Sequence, residues 1–77
     1  MSDSADILVD ARGHRCPVPT LRLRRALEHA LPGQAVRLLA DDPLARIDVP
    51  HFVRSEGFRL LDTAADGDGF VFRVAKD

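Results

Sequence analysis

The chain has one cysteine, Cys16, in 77 residues. A single cysteine excludes an internal disulfide and any Cys-x-x-Cys chemistry, and it fits a reducing cytoplasm. Tryptophan and tyrosine are absent, and all four phenylalanines (Phe52, Phe58, Phe70, Phe72) lie in the second half. No apolar run approaches the roughly 20 residues of a membrane-spanning helix, and the start lacks the apolar region of a signal peptide. No membrane partner is therefore expected, and the expected location is cytoplasmic. Neither sign of charge prevails: the net charge is −1 and the pI about 6.3. That balance argues against direct, broad electrostatic binding of nucleic acid. Internal repeats, linkers and low-complexity segments are also missing.

Residues 1–77 make one small domain. A chain of this size buries only about 60% of the surface it exposes when unfolded, and its 45% hydrophobic content suffices for one core. Met1 to Asp6 is polar and expected to fray. Ile7 to Asp10 is apolar without alternation and predicts a short strand buried on both faces. A helix is predicted from Pro19 to Leu31, where Leu23, Ala26, Leu27, Ala30 and Leu31 form one apolar stripe. Pro32-Gly33 stops it. Ala35 to Ala40 predicts a second strand with Val36, Leu38 and Ala40 on one face and Arg37 and Leu39 on the other. The connection is long enough for a crossover, so the two strands should be parallel.

Asp42 suits the cap of a short turn with Pro43 at its first position. The main second helix is predicted to start later, with Asp48 as N-cap, Pro50 in the first turn, and Ile47 and Phe52 as a hydrophobic staple. Gly57 suits its end. Phe58 to Thr63 and Gly69 to Ala75 predict a hairpin joined by Ala64-Ala65-Asp66-Gly67-Asp68. The order is β-α-β-α-β-β, an α/β fold. Two helices can cover one face of a four-stranded sheet. The other face should carry Arg37, Leu39, Arg59, Leu61, Val71 and Arg73.

The chemistry concentrates in Gly13-His14-Arg15-Cys16-Pro17-Val18-Pro19, between the first strand and the first helix. Proline fixes φ and lacks an N–H, so it suits a helix's first turn. A residue before proline is pushed out of the helical region, which predicts an extended Cys16 and Val18. The free N–H groups and positive end of the helix then face the thiol and favour its thiolate, the nucleophilic form. Arg12, Arg15, Arg22, Arg24 and Arg25 fall in a stretch with no acid. Gly13 suits a turn that needs a positive φ or a close backbone approach. The plainer reading is that Cys16 is a small buried hydrophobe and the prolines are punctuation. Arg24 and Arg25 read best as a solvated helix face. His14 is either a proton partner or metal co-ligand for Cys16, or a loop histidine without a role. His29 and His51 have no metal-ligand spacing with Cys16, so no metal is expected.

Asp10-x-x-Gly13-x-x-Cys16-Pro17-x-Pro19, Pro32-Gly33, Asp41-Asp42-Pro43 and Arg46-Ile47-Asp48-Val49-Pro50 follow one another in register. This set resembles the TusA/SirA-like family of small sulfur-carrier proteins, over essentially the whole chain from Leu8 to Lys76. The departure is His14, where the family usually has an aliphatic residue. The resemblance implies a two-layer α/β sandwich, α+β in composition, with two helices on one face of a four-stranded mixed sheet. It implies a persulfide carried on Cys16, with Gly13, Pro17 and Pro19 supporting the thiol loop and helix start. Arg12, Arg15 and His14 are candidates for thiolate support or partner recognition, and the resemblance places Arg46 and Asp48 near the same loop. Carboxylates Asp41, Asp42 and Asp48 form a further candidate cluster, although capping accounts for Asp42 and Asp48.

Two functions from different classes follow. The first is a sulfur-relay carrier, a sulfurtransferase in the loose sense, with no cofactor. It accepts sulfur on Cys16 from a donor such as a cysteine desulfurase and passes it to an acceptor protein. No second cysteine exists to resolve the persulfide, so the sulfur leaves through a partner. The second is a non-catalytic interaction or regulatory module that binds through the exposed sheet face. The sequence does not select an acceptor pathway or an oligomeric state.

Overall fold

A computed structural model describes residues 6–15 and 17–76. The elements are β1 (Ile7–Asp10), α1 (Val18–His29), β2 (Ala35–Ala40), α2 (Ala45–Glu56), β3 (Arg59–Asp66) and β4 (Gly69–Ala75). They form one four-stranded mixed sheet in the order β1-β2-β4-β3. β1 pairs with β2 in parallel, and β4 runs antiparallel to both β2 and β3.

The core lies between the helices and one face of this sheet. Val36, Leu38 and Ala40 of β2 and Phe72 and Val74 of β4 are fully buried. Leu23 and Leu27 from α1 and Ala45, Val49 and Val53 from α2 pack against them. The alternation in β2 is as expected, with Arg37 exposed and Leu39 half-buried. The β1 strand is buried on one face only. Ile7 and Val9 pack against the core, but Leu8 is 62% exposed. An edge strand of a two-layer sandwich has no layer on its second face, so an apolar run there does not imply burial on both sides.

Helix α1 starts at Val18, one residue before Pro19, and ends at His29. Val18 is helical although a proline follows it. The cost is limited because Pro19 stands in the first turn, where its missing N–H removes no helical bond. Beyond the helix, Ala30 is extended and Leu31 is 70% exposed, so the stripe ends at Ala30. The Lys76 ammonium donates to the Ala30 carbonyl oxygen at 3.2 Å and ties the chain's end to the helix terminus.

Helix α2 begins well before Asp48. The Ala45 N–H donates to the Asp42 carbonyl at 2.9 Å, and the Leu44 N–H to Asp42 Oδ1 at 3.2 Å. Asp42-Pro43 forms the expected short turn, which leads directly into the helix at its N-cap, Leu44. Asp48 sits within its first turn and Pro50 inside it. Ile47 is 67% exposed, so the staple with Phe52 does not form. Pro50 denies the Arg46 carbonyl its helical donor. The far end is as predicted: Gly57 has φ +78°, and the Phe58 N–H reaches back to the Val53 carbonyl at 3.0 Å.

The hairpin is tighter than predicted. β3 runs on to Asp66, leaving Gly67-Asp68 as a two-residue turn with a positive φ at Gly67. Leu61 is the extra residue of a bulge between Leu60 and Asp62. The bulge shifts the alternation, so Asp62 pairs with Arg73 and Ala64 with Val71 on the open face, where Leu61 was expected. Asp6, grouped on sequence grounds with the residues expected to fray, accepts hydrogen bonds from Arg73 at 2.8 and 3.4 Å; residues 1–5 of that group lie outside the described residues. That bond holds the Asp6 carboxyl below its usual range.

Candidate functional site

The loop from β1 to α1 is built on a turn from Ala11 to His14. Ala11 is buried, and its N–H extends the sheet ladder to the Leu39 carbonyl at 2.8 Å. The His14 N–H closes the turn on the Ala11 carbonyl at 3.3 Å. Gly13 occupies the third position with φ +84°, the value a type II turn demands there. A Cβ on Gly13 would meet nothing within 4 Å, so glycine is required for its dihedral freedom and not for room. Asp41, just past β2, takes the Gly13 N–H on both carboxylate oxygens, at 3.0 and 3.1 Å. Two anchors thus hold the loop to the end of β2.

Cys16 lies outside the described residues. Its chain neighbours Arg15 and Pro17 are both exposed. Pro17 is the N-cap of α1, with no side-chain cap and no acid in the first turn. The positive end of the helix is therefore left uncancelled immediately after the cysteine. Pro19 is buried and seats that end in the core. The Leu21 N–H donates to the Pro17 carbonyl at 2.9 Å.

The arginines divide by their contacts. Arg12 makes a two-pronged bond to Asp10, with Nε–Oδ1 at 2.9 Å and Nη2–Oδ2 at 2.8 Å. Arg22 Nη1 donates to the Asp10 carbonyl at 3.1 Å, joining α1 to the end of β1. Arg24 pairs with Glu28 one turn on, at 3.7 Å. Arg15 stands on the rim of a cleft of about 580 Å³ lined by Gly13, His14, Arg15, Asp41, Asp42, Pro43 and Leu44. The cleft separates the thiol loop from the start of α2.

Of the residues singled out from sequence, Gly13, His14 and Arg15 come together at this cleft, and Pro17 and Pro19 open the adjoining helix. Arg46 places its guanidinium 5.4 Å from the centre of the Phe70 ring. Asp48 is half-buried on α2. Neither lines the cleft. Asp41 was considered only as one of a carboxylate cluster, yet it positions the loop. The signal was the Asp41-Asp42-Pro43 run directly behind a strand, where a short carboxylate can reach a neighbouring loop's N–H. Among the described residues, no group of three or more histidines, cysteines or acids is placed to hold a metal ion. No helix among them is long and apolar enough to cross a membrane.

The Arg12 hydrogen bonds hold the Asp10 carboxyl down at about 2, from an ordinary 3.8. A folded value below the unfolded one stabilises the fold above about pH 4, and that stabilisation is lost as pH falls towards 2. The pair is exposed, so the contribution is small. A carbon-detected NMR titration should place the Asp10 midpoint near 2 and, in Arg12→Ala, back near the ordinary value. A wild-type midpoint at the ordinary value would show that the pair does not persist in solution.

A family model described as sulfurtransferase TusA matches residues 7–76. The chain is similar to a candidate sulfur carrier protein of Archaeoglobus fulgidus, with 38% identity over 72 residues, covering 90% of this chain and 94% of the relative. It is also similar to sulfur carrier protein TusA of Pseudomonas aeruginosa, with 29% identity over 76 residues, covering 99% and 96%. The crystal structure of a SirA-like protein from Desulfitobacterium hafniense matches the fold with a TM-score of 0.75 at 26% identity, covering 90% of this chain and 93% of that one.

Proposed function

The chain belongs to the sulfurtransferase TusA family, and on that premise we propose that it is a sulfur carrier whose cargo rides as a persulfide on Cys16. The observation that carries this reading is the setting of the cysteine. It follows a loop pinned to the end of β2 and immediately precedes an uncapped helix N-terminus, and both of its chain neighbours are exposed. Such a setting favours a thiolate that a partner protein can reach.

The exchange needs no external oxidant or reductant. The Cys16 thiolate attacks the outer sulfur of a donor persulfide. A new S–S bond forms to Cys16, the donor's S–S bond breaks, and the donor leaves as its thiolate. An acceptor thiolate then repeats the same displacement on the Cys16 persulfide. A cysteine desulfurase suits the donor role and a second protein thiol the acceptor role, both in a reducing cytoplasm. The fold holds no other cysteine to compete for the sulfur.

Intact-mass spectrometry tests the proposal. The protein is incubated with an active cysteine desulfurase and free cysteine, and separately with a small-molecule persulfide. The expected result is a gain of one sulfur atom, removed by reductant. Folded protein that gains sulfur from neither source would overturn the reading.

A further inference from the structure

We infer that Gly69, at the start of β4 on the hairpin, is a positioning residue for the thiol loop and acts on it through Asp41. Gly69 is buried. A Cβ at this position would lie 2.6 Å from the Ala40 carbonyl oxygen, 3.2 Å from Asp41 Cβ and 3.3 Å from Asp41 Cα. The other four glycines have positive φ and open space around the missing Cβ. Gly69 is the reverse: its φ is not positive, and what excludes a side chain is the closeness of residues 40 and 41. The nearest obstruction is backbone, so relief cannot come from turning a side chain aside. The end of β2 would have to move away from the hairpin.

Asp41 is the residue that holds the Gly13 N–H, across 28 positions of sequence. A chain of contacts therefore runs from Gly69 to the end of β2, from Asp41 to Gly13, and along three residues of loop to Cys16. The hydrogen bonds at 3.0 and 3.1 Å have only a few tenths of an ångström before they weaken. Restoring an ordinary contact from 2.6 Å requires a larger movement than that. A bond to a carboxylate is among the stronger kinds, and an anchored loop loses its preferred geometry when the bond lengthens. Glycine at position 69 thus keeps β2 close enough to the hairpin for Asp41 to reach the loop. The role assigned here rests on the sulfur-carrier reading for its consequence in transfer, though not for its geometry.

The test is a double-mutant cycle on Gly69→Ala and Asp41→Ala, with Asp41→Asn as the variant that keeps an acceptor oxygen. Three readouts are taken: hydrogen exchange at the Gly13 amide, the pH profile of Cys16 alkylation, and the rate of sulfur uptake from a small-molecule persulfide. Each alanine variant should speed Gly13 exchange and slow sulfur uptake by about tenfold, the effect of losing one charge-assisted hydrogen bond. The double variant should be no worse than either single one, because both break the same link. Asp41→Asn should retain most of the Gly13 protection. Independent effects that multiply to about a hundredfold would overturn the proposal, as would a Gly69→Ala protein with wild-type Gly13 exchange. A Gly69→Ala chain that does not fold would make Gly69 a residue of the fold at large and would equally overturn it, while Asp41→Ala and Asp41→Asn still judge the Asp41 link. The exchange and alkylation readouts use no sulfur donor. A wild type that takes up no sulfur would defeat the carrier reading and leave those two readouts to decide the positioning role.

Discussion

Cys16→Ser protein, offered either a desulfurase or a small-molecule persulfide, should gain no reducible sulfur. The loss should exceed about a hundredfold, because the thiolate is the attacking atom and a serine hydroxyl is un-ionised at neutral pH. No second cysteine is present to take over. The change should leave the fold in place, since the loop is held by Asp41 at Gly13 and by the sheet ladder at Ala11, and neither anchor involves the thiol. Intact-mass spectrometry and a thermal melt on the same sample check both halves. Sulfur retained by a folded serine variant would move the site away from Cys16. Rapid alkylation of folded wild type at neutral pH would also speak against the thiol being the small buried hydrophobe of the plainer reading.

The second large effect lies in the core. Phe72→Ala should destabilise the domain by about 3–5 kcal/mol. Phe72 is fully buried on β4, in register with Leu38 on one side and Thr63 on the other. Domains of this length have total stabilities of about 4–12 kcal/mol, so the loss removes a large share of the whole. Urea denaturation should show the midpoint falling with little change in slope. A cost below about 1 kcal/mol would mean that the sheet and helices close over the gap and that Phe72 is not the centre of the core. Sulfur uptake by the folded fraction should persist, which separates this variant from changes at the loop.

Much of this fold was legible in the sequence because two kinds of signal agreed. The β2 and β4 strands match their predicted bounds, where alternation and flanking glycine or aspartate pointed the same way. The parallel pairing of β1 and β2 followed from the long connection between them. The errors have local causes. Asp48 with Pro50 imitates a helix start, but the turn at Asp42-Pro43 already leads the chain into the helix at Ala45, and an established helix tolerates one missing N–H at Pro50. Ala64 and Ala65 carry no strand signal, yet pairing with Val71 and Phe70 extends β3 through them. The bulge at Leu61 changed which side chains share the open face, and no composition marks it. At the site, Gly13 and the prolines were readable because they constrain the backbone directly. The place of Asp41 beside Gly13, and of Gly69 beside Asp41, is a tertiary approach that no spacing encodes.

The strand order has a consequence for synthesis. β4 is the last strand among the described residues, yet it lies inside the sheet, between β2 and β3. Until its residues emerge from the ribosome, β2 and β3 have no common neighbour, and Phe72 and Val74 are missing from the core. The domain cannot assemble progressively from its first residues; it closes in one step once β4 is in place. A nascent chain stalled before Phe72 would carry the thiol loop without the strand that completes the sheet behind it.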